Sequence, residues 1–228
     1  MAKARSNFVC QNCGASYPKW TGKCENCGEW NTLVEQVIES KGASAVARSS
    51  SRGKVLKPQS MRSIAVEDSV RRLPTGIADL DAVLGGGILP AGVMLLAGQP
   101  GIGKSTLLMQ VAAHVSEQHA VLYVSGEESA SQVKLRATRL GATSGDDLQF
   151  VASTSADDIA ATIRSGAYRL VIIDSIQTLS LEEISSAPGT VSQITNSSNV
   201  IIRAAKASGA AVILVGHVTK EGSIAGPK

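Results

Sequence analysis

The stretch Gly98-Gln99-Pro100-Gly101-Ile102-Gly103-Lys104-Ser105, followed by Thr106, dictates what the rest of the chain must be. It fits G-x-x-x-x-G-K-[ST], a loop whose glycines let backbone amides wrap a phosphate and whose helix N-terminus adds a favourable dipole. Its surroundings agree with that reading. An apolar strand, Val93 to Ala97, precedes it, and an apolar-periodic helix carrying Leu107, Leu108, Val111 and Val115 follows. Lys104 is expected to reach the β- and γ-phosphates of ATP or ADP, and Ser105 to offer its hydroxyl to Mg²⁺. Gly98, Gln99, Pro100, Gly101, Ile102, Gly103 and Thr106 complete the expected nucleotide cradle.

Outward from this loop, from about residue 70, short apolar runs alternate with amphipathic stretches, the pattern of a mainly parallel α/β sheet. Strands are expected at Val93 to Ala97, Val121 to Ser125, Leu148 to Val151, Leu170 to Asp174 and Ala211 to Gly216. Helices are expected at Ile77 to Leu84, Lys104 to Ser116, Ser129 to Leu140, Asp157 to Ser165 and roughly Asn199 to Ser208. The run Leu170-Val171-Ile172-Ile173-Asp174 reads as a buried strand that delivers a carboxylate to the Mg²⁺ shell at the sheet's C-terminal edge. Strand Val121 to Ser125 ends in Gly126-Glu127-Glu128, which brings carboxylates to the same edge. Hydrolysis needs a group to orient or deprotonate water, and Glu127 is the candidate base. The competing reading is that one of the two glutamates serves the N-terminus of the helix near Ser129. His217, just past the last strand, is a candidate γ-phosphate sensor, whereas His114 and His119 read as surface or core fillers.

Upstream, all four cysteines fall within the first 27 residues of a 228-residue chain, as Cys10-x2-Cys13-x10-Cys24-x2-Cys27. Two knuckles of two thiolates each suit one tetrahedral ion, and four sulfurs without histidine favour a closed structural Zn²⁺ site over iron. A segment this short could hardly fold without a metal. Residues 1–34 are therefore read as a zinc-binding module. Residues 35–65 read as a flexible basic linker, because Ser40 to Ser60 holds six serines, five Lys/Arg and no acid. Residues 66–228 form the nucleotide-binding core. Residues 1 to 75 carry twelve Lys/Arg against six Asp/Glu, and the remainder ten against thirteen. That surplus suits nucleic-acid phosphates or solubility equally. The longest apolar run, Ala210 to Val215, is far short of a membrane span, and a cytoplasmic location is the expectation.

Taken together these motifs resemble the bacterial RadA (Sms) DNA-repair ATPases, relatives of RecA and of DnaB-type helicases. The resemblance rests on the four-cysteine finger, Thr75-Gly76-Ile77-Ala78-Asp79-Leu80-Asp81-Ala82-Val83-Leu84-Gly85-Gly86-Gly87, the phosphate loop, Val124-Ser125-Gly126-Glu127-Glu128-Ser129 and Asp174-Ser175-Ile176-Gln177-Thr178. It implies a RecA-like core whose last strand lies between the strands bearing the phosphate loop and Asp174, with Glu127 catalytic and His217 facing the nucleotide. It further implies a homo-oligomeric, hexameric ring that acts with recombination or replication proteins. Its substrate would be single-stranded and branched DNA, on which it promotes branch migration by DNA-dependent ATP hydrolysis. DNA-facing loops would match Ser180 to Ser192 and Thr219 to Lys228. The family continues with a Lys-Asn-Arg-Phe-Gly motif and a Lon-like domain, so the chain is expected to be a fragment ending before both. The rival from another class is a nucleotide-gated adaptor that holds a partner protein through its zinc finger without significant turnover.

Overall fold

The computed structural model describes residues 5–11, 15–38, 57–63, 71–142 and 147–218. Cys13, most of the expected linker and the second expected DNA loop, Thr219 to Lys228, lie outside the described residues.

The first part is a small antiparallel ribbon of β1 (Arg5–Cys10), β2 (Ser16–Tyr17) and β3 (Leu33–Ile38) in the order β2-β1-β3. Cys10 ends β1 and pairs with Leu33, and both are buried beside Cys24. No strand was expected here from the sequence. Neither Arg5–Cys10 nor Leu33–Ile38 alternates apolar with polar residues, and an isolated ribbon of this kind is marginal without what the knuckles between its strands hold.

The second part is a five-stranded parallel sheet made of β4 (Val93–Gly98), β5 (Val121–Ser125), β6 (Leu148–Ala152), β7 (Leu170–Asp174) and β8 (Ala211–His217). Its order is β4-β8-β7-β5-β6. The last strand therefore lies between β4 and β7, as the resemblance implied. Each central strand is apolar up to its carboxyl end because both of its faces are covered. Val121, Tyr123, Leu170, Ile172, Ala211, Ile213 and Val215 pack under α2 (Lys104–Ser116) and α3 (Ala130–Arg139). The alternate residues Leu122, Val124, Val171, Ile173, Val212 and Leu214 pack under α4 (Ala156–Arg164) and α5 (Val191–Ser208). A short α1 (Ala78–Val83) precedes β4.

Two expectations need correction. Helix α5 begins at Val191, eight residues before the expected Asn199. Its first two turns are polar and β-branched and therefore poor helix formers, but tertiary burial overrides propensity. Thr190 caps the helix by accepting from the Gln193 amide, Ile194 is buried, and the buried Gln193 amide side chain bonds the backbone of Leu181, Ile184 and Ser186. The expected DNA loop from Ser180 to Ser192 is thus a packed segment anchored by Leu181 and Ile184, with Glu182 and Glu183 on its exposed side.

The second correction concerns the zinc module, expected to end at residue 34 and to give way to a flexible linker at residue 35. Strand β3 continues to Ile38 and docks on α5. The Glu35 carbonyl accepts from Ser192 Oγ at 2.7 Å and Asn196 Nδ2 at 3.1 Å, and its buried carboxylate accepts from Ser185 Oγ at 3.2 Å. A strand edge and a helix flank with complementary polar groups satisfy one another, which no local pattern in either segment reveals. Ser192→Ala is expected to remove about 1 kcal/mol from this contact. Amide hydrogen exchange should then quicken in residues 33–38 and leave β5, β7 and β8 unchanged.

Candidate nucleotide site and metal centre

Parallel register brings the candidate residues to one edge of the sheet. Gly98 stands opposite His217 on β4 and β8, and Ser125 opposite Asp174 on β5 and β7. Such an edge, at the carboxyl ends of the strands, is where ligands bind in α/β sheets. Gly101 and Gly103 take φ of +78° and +104°, and a Cβ built at either would meet nothing within 4 Å. The loop is thus open on the side where side chains would otherwise project. Lys104 is buried, and its Nζ donates to the carbonyls of Gly98 and Gln99 at 2.8 Å each. The ammonium is held over the loop mouth by the loop's own backbone. Pro100, Ile102 and Thr106 sit on the exposed rim.

Ser105 Oγ donates to Asp174 Oδ2 at 2.5 Å, joining the first turn of α2 to the end of β7. Two hard oxygen donors side by side at a phosphate loop are the donor chemistry that Mg²⁺ takes. The residues fit the cation. Tyr123 Oη donates to the same Oδ2 at 2.8 Å.

The two adjacent glutamates lie in different surroundings. Glu128 is paired with Arg136 of α3, whose guanidinium is held charged above its ordinary range first by that hydrogen bond. Glu127, whose side chain is 53% exposed, accepts from the buried Ser175 Oγ at 2.8 Å, and His217 Nε2 lies 3.8 Å from the same carboxylate oxygen. Neither glutamate caps α3. Ser129 does so, in a reciprocal capping box with Gln132. Gln177 Nε2 donates to the His217 carbonyl at 3.4 Å. Sequence reasoning found Lys104, Ser105, Asp174, Glu127 and His217, and the structure brings them to one edge. It missed Tyr123, Ser175 and Arg136, which look like strand filler and ordinary surface until the strands are paired.

Close packing fixes the turn that carries the glutamates. A Cβ on Gly126 would lie 2.2 Å from Thr178 Oγ1, whose hydroxyl donates to the Ser175 carbonyl at 2.8 Å. The β5 turn and the turn after β7 therefore touch with no room for a methyl group.

In the ribbon, the sulfurs of Cys10, Cys24 and Cys27 lie within 4.8 Å of one another, and Cys10 Sγ is 3.6 Å from Cys27 Sγ. Tetrahedral zinc with Zn–S of about 2.3 Å sets sulfurs about 3.8 Å apart, so the three thiols fit such an ion. Around them, Thr32 Oγ1 is 3.2 Å from Cys10 Sγ, and Tyr17 Oη is 3.4 Å from Cys24 Sγ. Gly28, just after Cys27, takes a positive φ of +77°, and its amide donates to the Cys24 carbonyl.

The profile of a family described as an AAA domain matches residues 60–223. The chain belongs to the AAA-domain family. A second profile, described as a rubredoxin metal binding domain, matches residues 8–35 of this AAA-domain chain. The chain is 50% identical over 236 residues to the DNA repair protein RadA of Brucella abortus (strain 2308) and 42% identical over 236 residues to that of Escherichia coli (strain K12). Each alignment covers 100% of this chain and 50% of the relative. The chain spans about half the length of the curated relatives it matches. A solved DnaB-like replicative helicase, described with its interactions with primase, aligns with a TM-score of 0.57 at 17% identity, over 69% of this chain and 47% of that one. This last likeness is one of fold. Among the described residues no helix is long and apolar enough to cross a membrane.

Two substitutions test this geometry. Gly126→Ala is expected to cost about 1–3 kcal/mol by overpacking against Thr178, read as a lowered denaturation midpoint at unchanged m-value. Cys24→Ser is expected to reduce bound zinc from about one ion per chain to a small fraction of that, measured by elemental analysis, with nucleotide binding retained.

Proposed function

We propose that this chain is the ATP-hydrolysing part of a DNA-repair motor. The observation that carries the reading is the Ser105–Asp174 hydrogen bond at the mouth of the phosphate loop, with the Ser175-held Glu127 at the next strand end. Lys104 exchanges its two carbonyl partners for β- and γ-phosphate oxygens, for which an ammonium is a stronger partner. Ser105 and Asp174 hold Mg²⁺, which when bound neutralises charge on the phosphates. Glu127 takes a proton from the attacking water and Ser175 keeps that carboxylate in place, while Glu128, tied to Arg136, is occupied. His217, at the end of the strand beside the phosphate loop, is suited to report the γ-phosphate to residues that follow it.

The similarity to RadA proteins supports DNA in repair intermediates as the effector, with branch migration on single-stranded or branched DNA as the work done. It also supports a homo-oligomeric, hexameric ring and recombination or replication proteins as partners. Phosphate contacts must come from Lys/Arg, since Glu182 and Glu183 face outward from the packed segment before α5. DNA affinity is therefore expected to be sequence-independent and to fall steeply with salt. Zinc in the four-cysteine ribbon is proposed as structural.

The test separates binding from chemistry. Lys104→Ala is expected to lose nucleotide binding, whereas Glu127→Gln should bind ATP normally and turn it over at least roughly 10²-fold more slowly. Glu128→Gln should keep most turnover. Equilibrium binding of a fluorescent nucleotide and phosphate release, each with and without single-stranded DNA, give the answer. Wild-type turnover in Glu127→Gln would favour a nucleotide-gated adaptor instead.

A further inference from the structure

Tyr123 has no part in the chemistry just described, yet it sits on Asp174. It lies on β5 opposite Ile172 of β7, two residues before the Ser125–Asp174 pair. Its ring is packed in the core layer under α2 and α3, with 1% of the residue exposed. Its hydroxyl reaches along the sheet to Asp174 Oδ2 at 2.8 Å, the oxygen that also accepts from Ser105 at 2.5 Å. As an O–H donor to a carboxylate, the phenol holds that oxygen in place. A carboxylate on a strand end would otherwise turn about its side-chain bonds, and second-layer hydrogen bonds of this kind fix the orientation of metal-holding carboxylates.

We propose that Tyr123 is a positioning residue: its hydroxyl locks the Asp174 carboxylate in the orientation that receives Mg²⁺ beside Ser105. The proposal rests on the reading of Asp174 as part of the Mg²⁺ site. A purely structural tyrosine would use the same hydrogen bond only to satisfy a buried hydroxyl, and removing that hydroxyl would then alter stability but not cation binding. The role also explains a tyrosine at a position where phenylalanine would fill the same layer.

The experiment measures Mg²⁺ directly. Binding of a fluorescent ATP analogue to the full chain is titrated with MgCl2 at fixed nucleotide for wild type, Tyr123→Phe and Asp174→Asn, with thermal melting of each. Tyr123→Phe is expected to raise the Mg²⁺ concentration for half-maximal effect by roughly tenfold, with Mg²⁺-free nucleotide binding unchanged. Asp174→Asn should shift it at least as far. A Tyr123→Phe protein that follows the wild-type curve while Asp174→Asn is shifted overturns the role of Tyr123 alone. An Asp174→Asn protein with the wild-type curve overturns the reading of Asp174, and the proposal falls with it. Equal loss of Mg²⁺-free binding in Tyr123→Phe also overturns the proposal, since the tyrosine would then shape the whole loop. If Tyr123→Phe melts early, Tyr123→Met, a flexible filler without a hydroxyl, is read by the same criteria.

Discussion

The hydroxyl of Ser105 and the carboxylate of Asp174, 69 residues apart in the chain, meet at 2.5 Å. That contact requires α2 to lie across the sheet so that its first turn comes down at the end of β7. The core arranges this by packing: Leu108, Met109 and Ala112 of α2 belong to the same buried layer as Ile172 of β7, Ile213 of β8 and Tyr123 of β5. Once α2 is so placed, the strand inserted between β4 and β7 delivers His217 to the same edge, and β5 delivers its glutamates. Packing on one face of the sheet thus sets the polar geometry at its edge.

The adjacent carboxylates Glu127 and Glu128 illustrate how neighbours divide roles. Arg136, one face of α3, takes Glu128 into an ion pair in which both side chains are largely covered. Glu127 remains half in solvent, tethered by one hydroxyl from Ser175. The Glu128 carboxylate is thus taken up by Arg136, whereas Glu127 keeps a face open to solvent and to His217. The difference comes from the direction in which α3 leaves the turn, and that direction is set by the Ser129–Gln132 cap and by the contact of Gly126 with Thr178.

On the other face, α5 joins the metal-binding ribbon to the segment that follows the nucleotide site. Ser192 and Asn196 hold the ribbon through Glu35, while Gln193, between them, holds Leu181, Ile184 and Ser186. The same helical turn therefore serves two neighbours. An ordered ribbon and an ordered Leu181–Ser186 segment reinforce each other, because both supply partners to polar groups that would be costly to bury alone. Trp20 and Trp30, by contrast, stand 56% and 67% exposed.

The sequence by itself determined the elements whose chemistry is local. The loop from Gly98 to Ser105, the buried strand ending in Asp174 and the gathering of Cys10, Cys24 and Cys27 are legible because glycine spacing, branched apolar runs and thiol spacing each encode a backbone shape or a ligand set directly. Helix boundaries followed where caps or glycines punctuate them, as at Ser129 and Gly209. Only the tertiary structure decided which glutamate is left open, that Tyr123 and Ser175 hold the carboxylates, and that β3 docks on α5. The physical reason is the same in each case. Those outcomes depend on partners brought together across strands or across the two parts of the chain, and a polar residue such as Ser192 or Gln193 carries in its local sequence no sign of whether water or a buried neighbour will satisfy it. The early start of α5 follows from this too: Val191 to Ser198 is helical because Ser192, Gln193 and Asn196 find such neighbours, against the preference of the segment itself.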